Sequence, residues 1–424
     1  MRKRNILIGL GLVLSVNVFA QFNISIKTDP SLIGKEVYLY TLNGSKDILY
    51  KKEKLSAKGI NVKYPASYSG MMKAYFPDMN YALNFISENK NVEFELKTLN
   101  GKADKVIYND SSNRIMNDIQ DISKKKEYIL PALYQIKDFY QPDNSFYTAL
   151  SSEISLLENP GNADYSANPF IQFYNSNYSS YITDKTKTEE EIITFLNNAS
   201  PFLETSSLLR PILLSFLTQS QNREVSVDKL LNTVNLESFR GQNILSEFIE
   251  IFEIYGMKDL KTKYLNQATN LKCTINDRLT NTIAQSKSLD VGGLFADTSL
   301  ENAINTSIKK LSDIKSKKKI VIFWSSGCSH CDNELPKLIP YYENLKKNNI
   351  EIIGLSLDSD RNGYSNKAQN FPWISASELR GWYSSYVEKY NVHATPYYFI
   401  LDENNNILSK PDRVNDVISQ LNLK

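Results

Sequence analysis

Cys328-Ser329-His330-Cys331 places two thiols at a spacing suited to reversible disulfide chemistry. A thiolate attacks a disulfide sulfur, and a second thiol one helical turn further along the same face can resolve the mixed disulfide. Just before the pair, Ile320 to Trp324 is a continuous apolar run, as in strands buried on both faces of a sheet. A helical pattern follows from Ser329 to about Lys347. The spacing therefore predicts Cys328 at the N-terminus of a helix, where unsatisfied N–H groups and the helix dipole favour a negative sulfur. In such surroundings a thiol that ordinarily titrates near ~8.5 can fall to about 3.5–7.5. His330 adds a ring that can carry charge beside that sulfur, which would stabilise the reduced form and make the disulfide more oxidising.

Cys328, His330 and Cys331 are also a partial metal set. A structural zinc takes four ligands, and the remaining candidates are Cys273 and His393, each alone in the sequence. No metal or other cofactor is expected. Gly292-Gly293 and Gly327 fit no phosphate-loop spacing. Cys273 is read as a buried, inert thiol, with a resolving or intermolecular role as the alternative.

The elements that must position the pair read as an α/β arrangement from about residue 286 to 424. Ile350 to Leu357 is a second buried strand ending at Asp358, and Tyr397 to Leu401 is a third, followed by a turn over 402–406. Strand and helix alternating in this way predict a central sheet with helices on its faces. Residues 21–108 read as β-rich instead. Asn23 to Lys27, Glu36 to Tyr40 and Val92 to Leu96 alternate apolar and polar, and Asn43-Gly44 and Asn100-Gly101 are turn signals. A small antiparallel sheet or sandwich is expected there. Residues 109–285 carry a helical period: Ile244, Leu245, Phe248, Ile249 and Phe252 share one face, and Gly256 supplies a stop. Pro201, Pro211 and Asn159-Pro160-Gly161 punctuate that stretch, whose Tyr and Phe residues are read mainly as core. The fold class is thus multidomain α+β: a small N-terminal β-domain, a helical middle domain and a C-terminal α/β domain.

The C-terminal pattern resembles the thioredoxin superfamily, specifically its exported TlpA/ResA-like branch. Trp324 stands four positions before the first cysteine, Glu334 three after Cys331 and Pro336 five after it. Ile353 to Asp358 resembles the next strand, and Tyr390 to Asp402, with Thr395-Pro396 inside it, resembles the cis-proline loop and the strand that follows. The resemblance implies a thioredoxin-like fold over 286–424, with Cys328 as nucleophile and Cys331 as resolving thiol. It implies a cis bond before Pro396, with the backbone of Thr395 beside the cysteines, where a substrate chain could pair like an added strand. Thr395, Pro396, Trp324 and His330 are the substrate-binding candidates. Ile322 stands where thioredoxins carry a buried Asp. The branch instead places its carboxylate where Glu334 stands, so Glu334 is expected to have a raised pKa and to exchange protons with the second cysteine. Two residues depart from the family: Gly327 replaces a frequent Trp, and the Ser-His spacer is unusual for a dedicated reductase.

The first twenty residues read as a secretory signal: Arg2, Lys3 and Arg4, then the uncharged run Ile6 to Val18, then Val18-Phe19-Ala20 before a cleavage point at Gln21. The run is shorter than the ~20 residues of a bilayer span, and no transmembrane anchor is expected after cleavage. The whole chain has 49 basic and 47 acidic residues; removing the three basic residues of the signal leaves 46 against 47. That balance gives no bulk electrostatic case for nucleic acid. An exported enzyme that reduces or isomerises protein disulfides is the leading reading, in the periplasm or envelope of a Gram-negative bacterium, with an unknown redox partner. The accessory regions would choose partners or form a homodimer, or serve as a structural cap. The alternative is an envelope binding protein in which the thioredoxin-like module is mainly a scaffold. A peroxidase would need a Pro-x-x-x-Thr-x-x-Cys loop, which the chain lacks.

Overall fold

The computed structural model describes residues 21–64, 68–159, 168–183 and 186–423. The predicted signal and the Pro160-Gly161 part of the expected loop lie outside them. Strands β1 (Phe22–Thr28), β2 (Glu36–Asn43), β3 (Lys46–Lys54), β4 (Ile60–Tyr64), β5 (Ser69–Phe76), β6 (Tyr81–Glu88), β7 (Val92–Leu99) and β8 (Lys102–Tyr108) fill the first region. They form two four-stranded sheets, ordered β4-β1-β7-β8 and β3-β2-β5-β6. Alternation works as read: Phe22, Ile24 and Ile26 of β1 and Val92, Phe94 and Leu96 of β7 are buried, and the residues between them are less so.

The expectation of an antiparallel sheet needs correction. β1 pairs antiparallel with β4, and β7 with β8, but β1 and β7 run parallel, with Ile24 opposite Val92 and Ile26 opposite Phe94. No hairpin joins β1 to β7, and the chain between them is long enough for a crossover, which is what parallel pairing requires. Asn100 and Gly101, at φ 51° and 75°, make the tight turn between β7 and β8, a conformation that favours this residue pair.

Helices occupy most of residues 111–288. Asp110, Asn144, Thr188, Asn222, Ser238 and Asn276 each cap one by accepting from a first-turn N–H. The helix Phe239–Ile254 has the predicted apolar residues buried, yet its other face is buried too, through Gln242, Asn243, Ser246, Glu247 and Glu250. Cations make that possible. The Arg278 guanidinium donates to Glu247 (3.1 Å) and to Glu250 (2.9 Å), Arg210 donates to Glu247 (2.7 Å) and pairs with Glu250, and Lys46 approaches Glu250 at 3.8 Å. Ser45, in the β2–β3 turn, donates its N–H (2.9 Å) and hydroxyl (2.7 Å) to Glu247. Burying a carboxylate is costly without such partners.

Two compact units emerge, and they interleave along the chain. Among the described residues, one comprises those within 21–36, 52–72 and 84–172, and the other those within 37–51, 73–83 and 173–423. Among the described residues no helix is long and apolar enough to cross a membrane.

Within the second unit, β9 (Lys318–Trp324), β10 (Ile350–Ser356), β11 (Ile374–Ser377), β12 (Tyr397–Asp402) and β13 (Ile407–Ser409) form a five-stranded sheet ordered β11-β10-β9-β12-β13. β9, β10 and β11 are parallel, and β12 runs antiparallel to β9 and β13. The uninterrupted apolar run of β9 is explained by two cores. Val321 and Phe323 join one core with Phe399 and Leu355, and Ile320, Ile322 and Trp324 join the other with Cys331 and Leu338. The expected helix from 329 to 347 is three pieces: Ser329–Glu334, a 3-10 segment Leu335–Tyr341 and Tyr342–Lys347. Pro336 and Pro340 lack the N–H groups a continuous α-helix would use.

Candidate redox site

Cys328 sits just past the end of β9 and caps the helix Ser329–Glu334. Its Sγ accepts from the Cys331 N–H at 3.1 Å. The two sulfurs are 2.6 Å apart, both as free thiols, and the Cys328 thiol donates to the Thr395 carbonyl at 3.3 Å. Exposure divides the pair: Cys328 is half-buried, and Cys331 is 1% exposed within the core. Burial pushes the Cys331 thiol up to about 12, and the neighbouring Cys328 thiol adds to this, while the Ser325 N–H works against it. Cys331 is therefore a protonated thiol at neutral pH, held in reserve behind its partner.

The Thr395–Pro396 bond is cis. It brings the Thr395 carbonyl to the sulfur from the start of β12, so strands β9 and β12, adjacent and antiparallel, deliver the two halves of the site.

A family model for thioredoxin-like proteins matches residues 316–407, which span the cysteines, the cis-proline and the sheet around them. The C-terminal domain belongs to the thioredoxin superfamily. Among named relatives of the chain are the thiol-disulfide oxidoreductase ResA of Geobacillus kaustophilus, 23% identical over 30% of this chain and 72% of its own length, and that of Bacillus subtilis, 23% identical over 31% and 73%. ResA of Bacillus cereus is 24% identical, with only 58% of its length spanned. Solved structures include the thioredoxin domain of a Bacteroides vulgatus thiol-disulfide oxidoreductase, at 23% identity and a TM-score of 0.29 over 32% of this chain and 97% of that one. A thiol:disulfide interchange protein of Chlorobium tepidum, described as putative DsbE, has 24% identity and a TM-score of 0.28 over 32% and 97%.

The thioredoxin-like domain places the other candidates unevenly. His330 is exposed on the short helix. Gly327 is exposed with open space around it. Trp324 is corrected as a substrate-binding residue: it is fully buried, packed edge-on against Phe371 beneath the cysteine turn, where no substrate chain reaches it. Its place at the inner end of β9 makes it core. For Glu334 the expected raised pKa is corrected. The Lys337 ammonium beside it, helped by the Val414 N–H at 3.2 Å, outweighs its partial burial and holds its carboxyl below the usual range. A proton carrier to a buried thiol needs the opposite shift. Cys273 lies 3.5 Å from the Gln242 side-chain amide, outside this site, and is half-buried rather than fully buried.

Two groups near the cysteines carry no signal in the motif itself. The Tyr398 hydroxyl is buried without a hydrogen-bond partner among the described residues, on the strand that leaves Pro396. Asp358 accepts hydrogen bonds from Ser325 and Ser326, the residues that lead into the cysteine turn. Strand register could have found the second. β10 pairs in parallel with β9, with Ser356 opposite Trp324, so continuing both strands by two residues sets Asp358 against Ser326.

Proposed function

We propose that the chain is an exported enzyme that reduces or isomerises disulfides of other proteins through Cys328 and Cys331. The observation that carries this reading is the pairing of a half-exposed sulfur with a buried one 2.6 Å away, beside the Thr395 carbonyl. Cys328, as thiolate, attacks a substrate disulfide. A mixed disulfide forms, and one substrate sulfur leaves and takes up a proton. Cys331 then gives up its proton and attacks the Cys328 sulfur, the mixed disulfide breaks, and the second substrate thiol departs. Two electrons have passed to the substrate, and the Cys328–Cys331 disulfide remains. A dithiol donor restores the pair by the same exchanges in reverse. Isomerisation ends earlier, when a substrate thiol displaces Cys328.

The substrate backbone would lie along Thr395 and Pro396 as a short added strand, with exposed His330 at its edge. The thioredoxin-like domain over 286–424 does the chemistry, and the rest of the chain selects partners or a homodimeric state. The basic and apolar start of the sequence supports export, and the periplasm of a Gram-negative bacterium is the proposed place of work.

Equilibrating the purified full-length chain with thiol buffers tests this. A reversible pair near about −270 mV supports a reductase, and one near about −180 to −120 mV an isomerase or oxidant. A pair that does not exchange sinks the enzymatic reading and leaves the scaffold reading.

A further inference from the structure

Asp358, just beyond β10, is 6% exposed. Its Oδ1 accepts from the Ser325 hydroxyl (3.1 Å), the Ser326 N–H (3.0 Å) and the Ser326 hydroxyl (2.7 Å). Its Oδ2 accepts from the Ser326 N–H (3.1 Å) and the Ser356 hydroxyl (2.6 Å). Every one of these donors is neutral, and among the described residues Asp358 makes no ion pair.

The clamped turn touches both cysteines. The Ser325 carbonyl accepts from the Cys328 N–H at 3.2 Å, and the Ser325 N–H faces the Cys331 sulfur. Two residues of chain reach about 7 Å at most, so Cys328 cannot lie far from the carboxylate that holds Ser326. A negative charge fixed there opposes a second negative charge on the Cys328 sulfur. For two unit charges about 10 Å apart at an effective dielectric of ~20, such opposition is on the order of tenfold in an equilibrium constant.

We propose that Asp358 is a positioning residue of the redox centre: it clamps the Ser325–Ser326 turn under the cysteines, and its unneutralised charge weights the pair toward the disulfide, making it more reducing. This rests on the disulfide-exchange reading above. Asp358→Asn separates the two effects. The amide oxygen keeps the three Oδ1 bonds and the amide nitrogen can donate to Ser356; of the clamp only the 3.1 Å bond from the Ser326 N–H to Oδ2 is lost, and the charge goes.

The test is equilibration of the full-length chain and its variants with glutathione, alongside the rate of Cys328 alkylation at pH 7. Asp358→Asn should move the exchange constant about tenfold toward the reduced pair, about 30 mV more oxidising, and speed alkylation. Ser356→Ala lies on β10 and acts only through Asp358. Leaving the carboxylate less satisfied, it should shift the constant a few-fold the other way. A wild-type pair that exchanges, with an Asp358→Asn constant unchanged or moved toward the disulfide, overturns the assignment. Should Asp358→Asn not fold, a Ser356→Ala constant equal to wild type overturns it instead. A wild-type pair that fails to exchange overturns the enzymatic reading on which the assignment rests.

Discussion

Glu247 and Glu250 in the helical region and Asp358 beside the cysteines are all buried carboxylates, yet they are held by different kinds of partner. Around the two glutamates stand Arg210, Arg278 and Lys46. Burial alone would push the Glu250 carboxyl up, but Arg278, with Lys46 and Arg210, outweighs it and holds the group far below its ordinary range. Among the described residues, the side chain of Asp358 is hydrogen-bonded by hydroxyls and an amide N–H. Cations cancel charge and fix the helices to one another. Neutral donors satisfy the oxygens but leave the charge in place, free to act on a neighbour. The first arrangement suits a joint, and the second suits a centre whose electrons must move.

If that distinction holds, damage at the two places should have separable costs. The largest effect falls on chemistry. Cys328→Ser should lower turnover of a protein disulfide at least about a thousandfold with little change in the urea midpoint; an equal loss of stability would blur the contrast. Next comes stability. Arg278→Ala leaves Glu247 and Glu250 short of a buried cation and should cost about 3–5 kcal/mol in urea unfolding, while the pair in the folded fraction keeps its reduction potential.

The third effect is acid-dependent and sharpens the electrostatics of the joint. His393 faces Glu250, Arg210 and Lys46, and burial pushes its ring from the ordinary 6.5 down to about 4. Between those values the unfolded chain binds more protons than the folded one, so stability is lost as pH falls from about 6.5 to about 4. His393→Gln should flatten that part of the stability curve. At the redox site the smaller effects concern protons. With Cys331 pushed up to about 12, iodoacetamide at pH 8 should label Cys328 first, as read by mass spectrometry. The smallest effect is expected at Glu334, whose carboxyl is already engaged by Lys337 and the Val414 N–H. Glu334→Gln should alter exchange rates by less than about twofold, and a tenfold loss would restore it as a proton carrier.

Much of the redox domain is written locally. The cysteine spacing, the apolar run of β9 and Thr395-Pro396 each lie within a few residues, so periodicity and resemblance reach them. What escaped depends on partners distant in sequence. The buried polar face of Phe239–Ile254 looks solvated until Arg210 and Arg278 come against it. Glu334 has a local partner in Lys337, three residues on, but the N–H of Val414 reaches it only through the fold. Trp324 ends an apolar run that already reads as a buried strand, and its burial in the core removes it from the substrate-binding set that the resemblance implies. The parallel pairing of β1 with β7 leaves no mark on either strand, because both alternate as an antiparallel pair would.

The interleaving of the two compact units bears on how this chain could be cut or recombined. The backbone passes between them at 36/37, 51/52, 72/73, 83/84 and 172/173. No single break in the gene separates them. A fragment beginning at residue 286 carries the cysteines and the whole five-stranded sheet but leaves behind residues 37–51, 73–83 and 173–285 of its own unit. A fusion or cut at the edge of the recognisable family segment would thus fall inside one compact unit and part the five-stranded sheet from the strands and helices grouped with it.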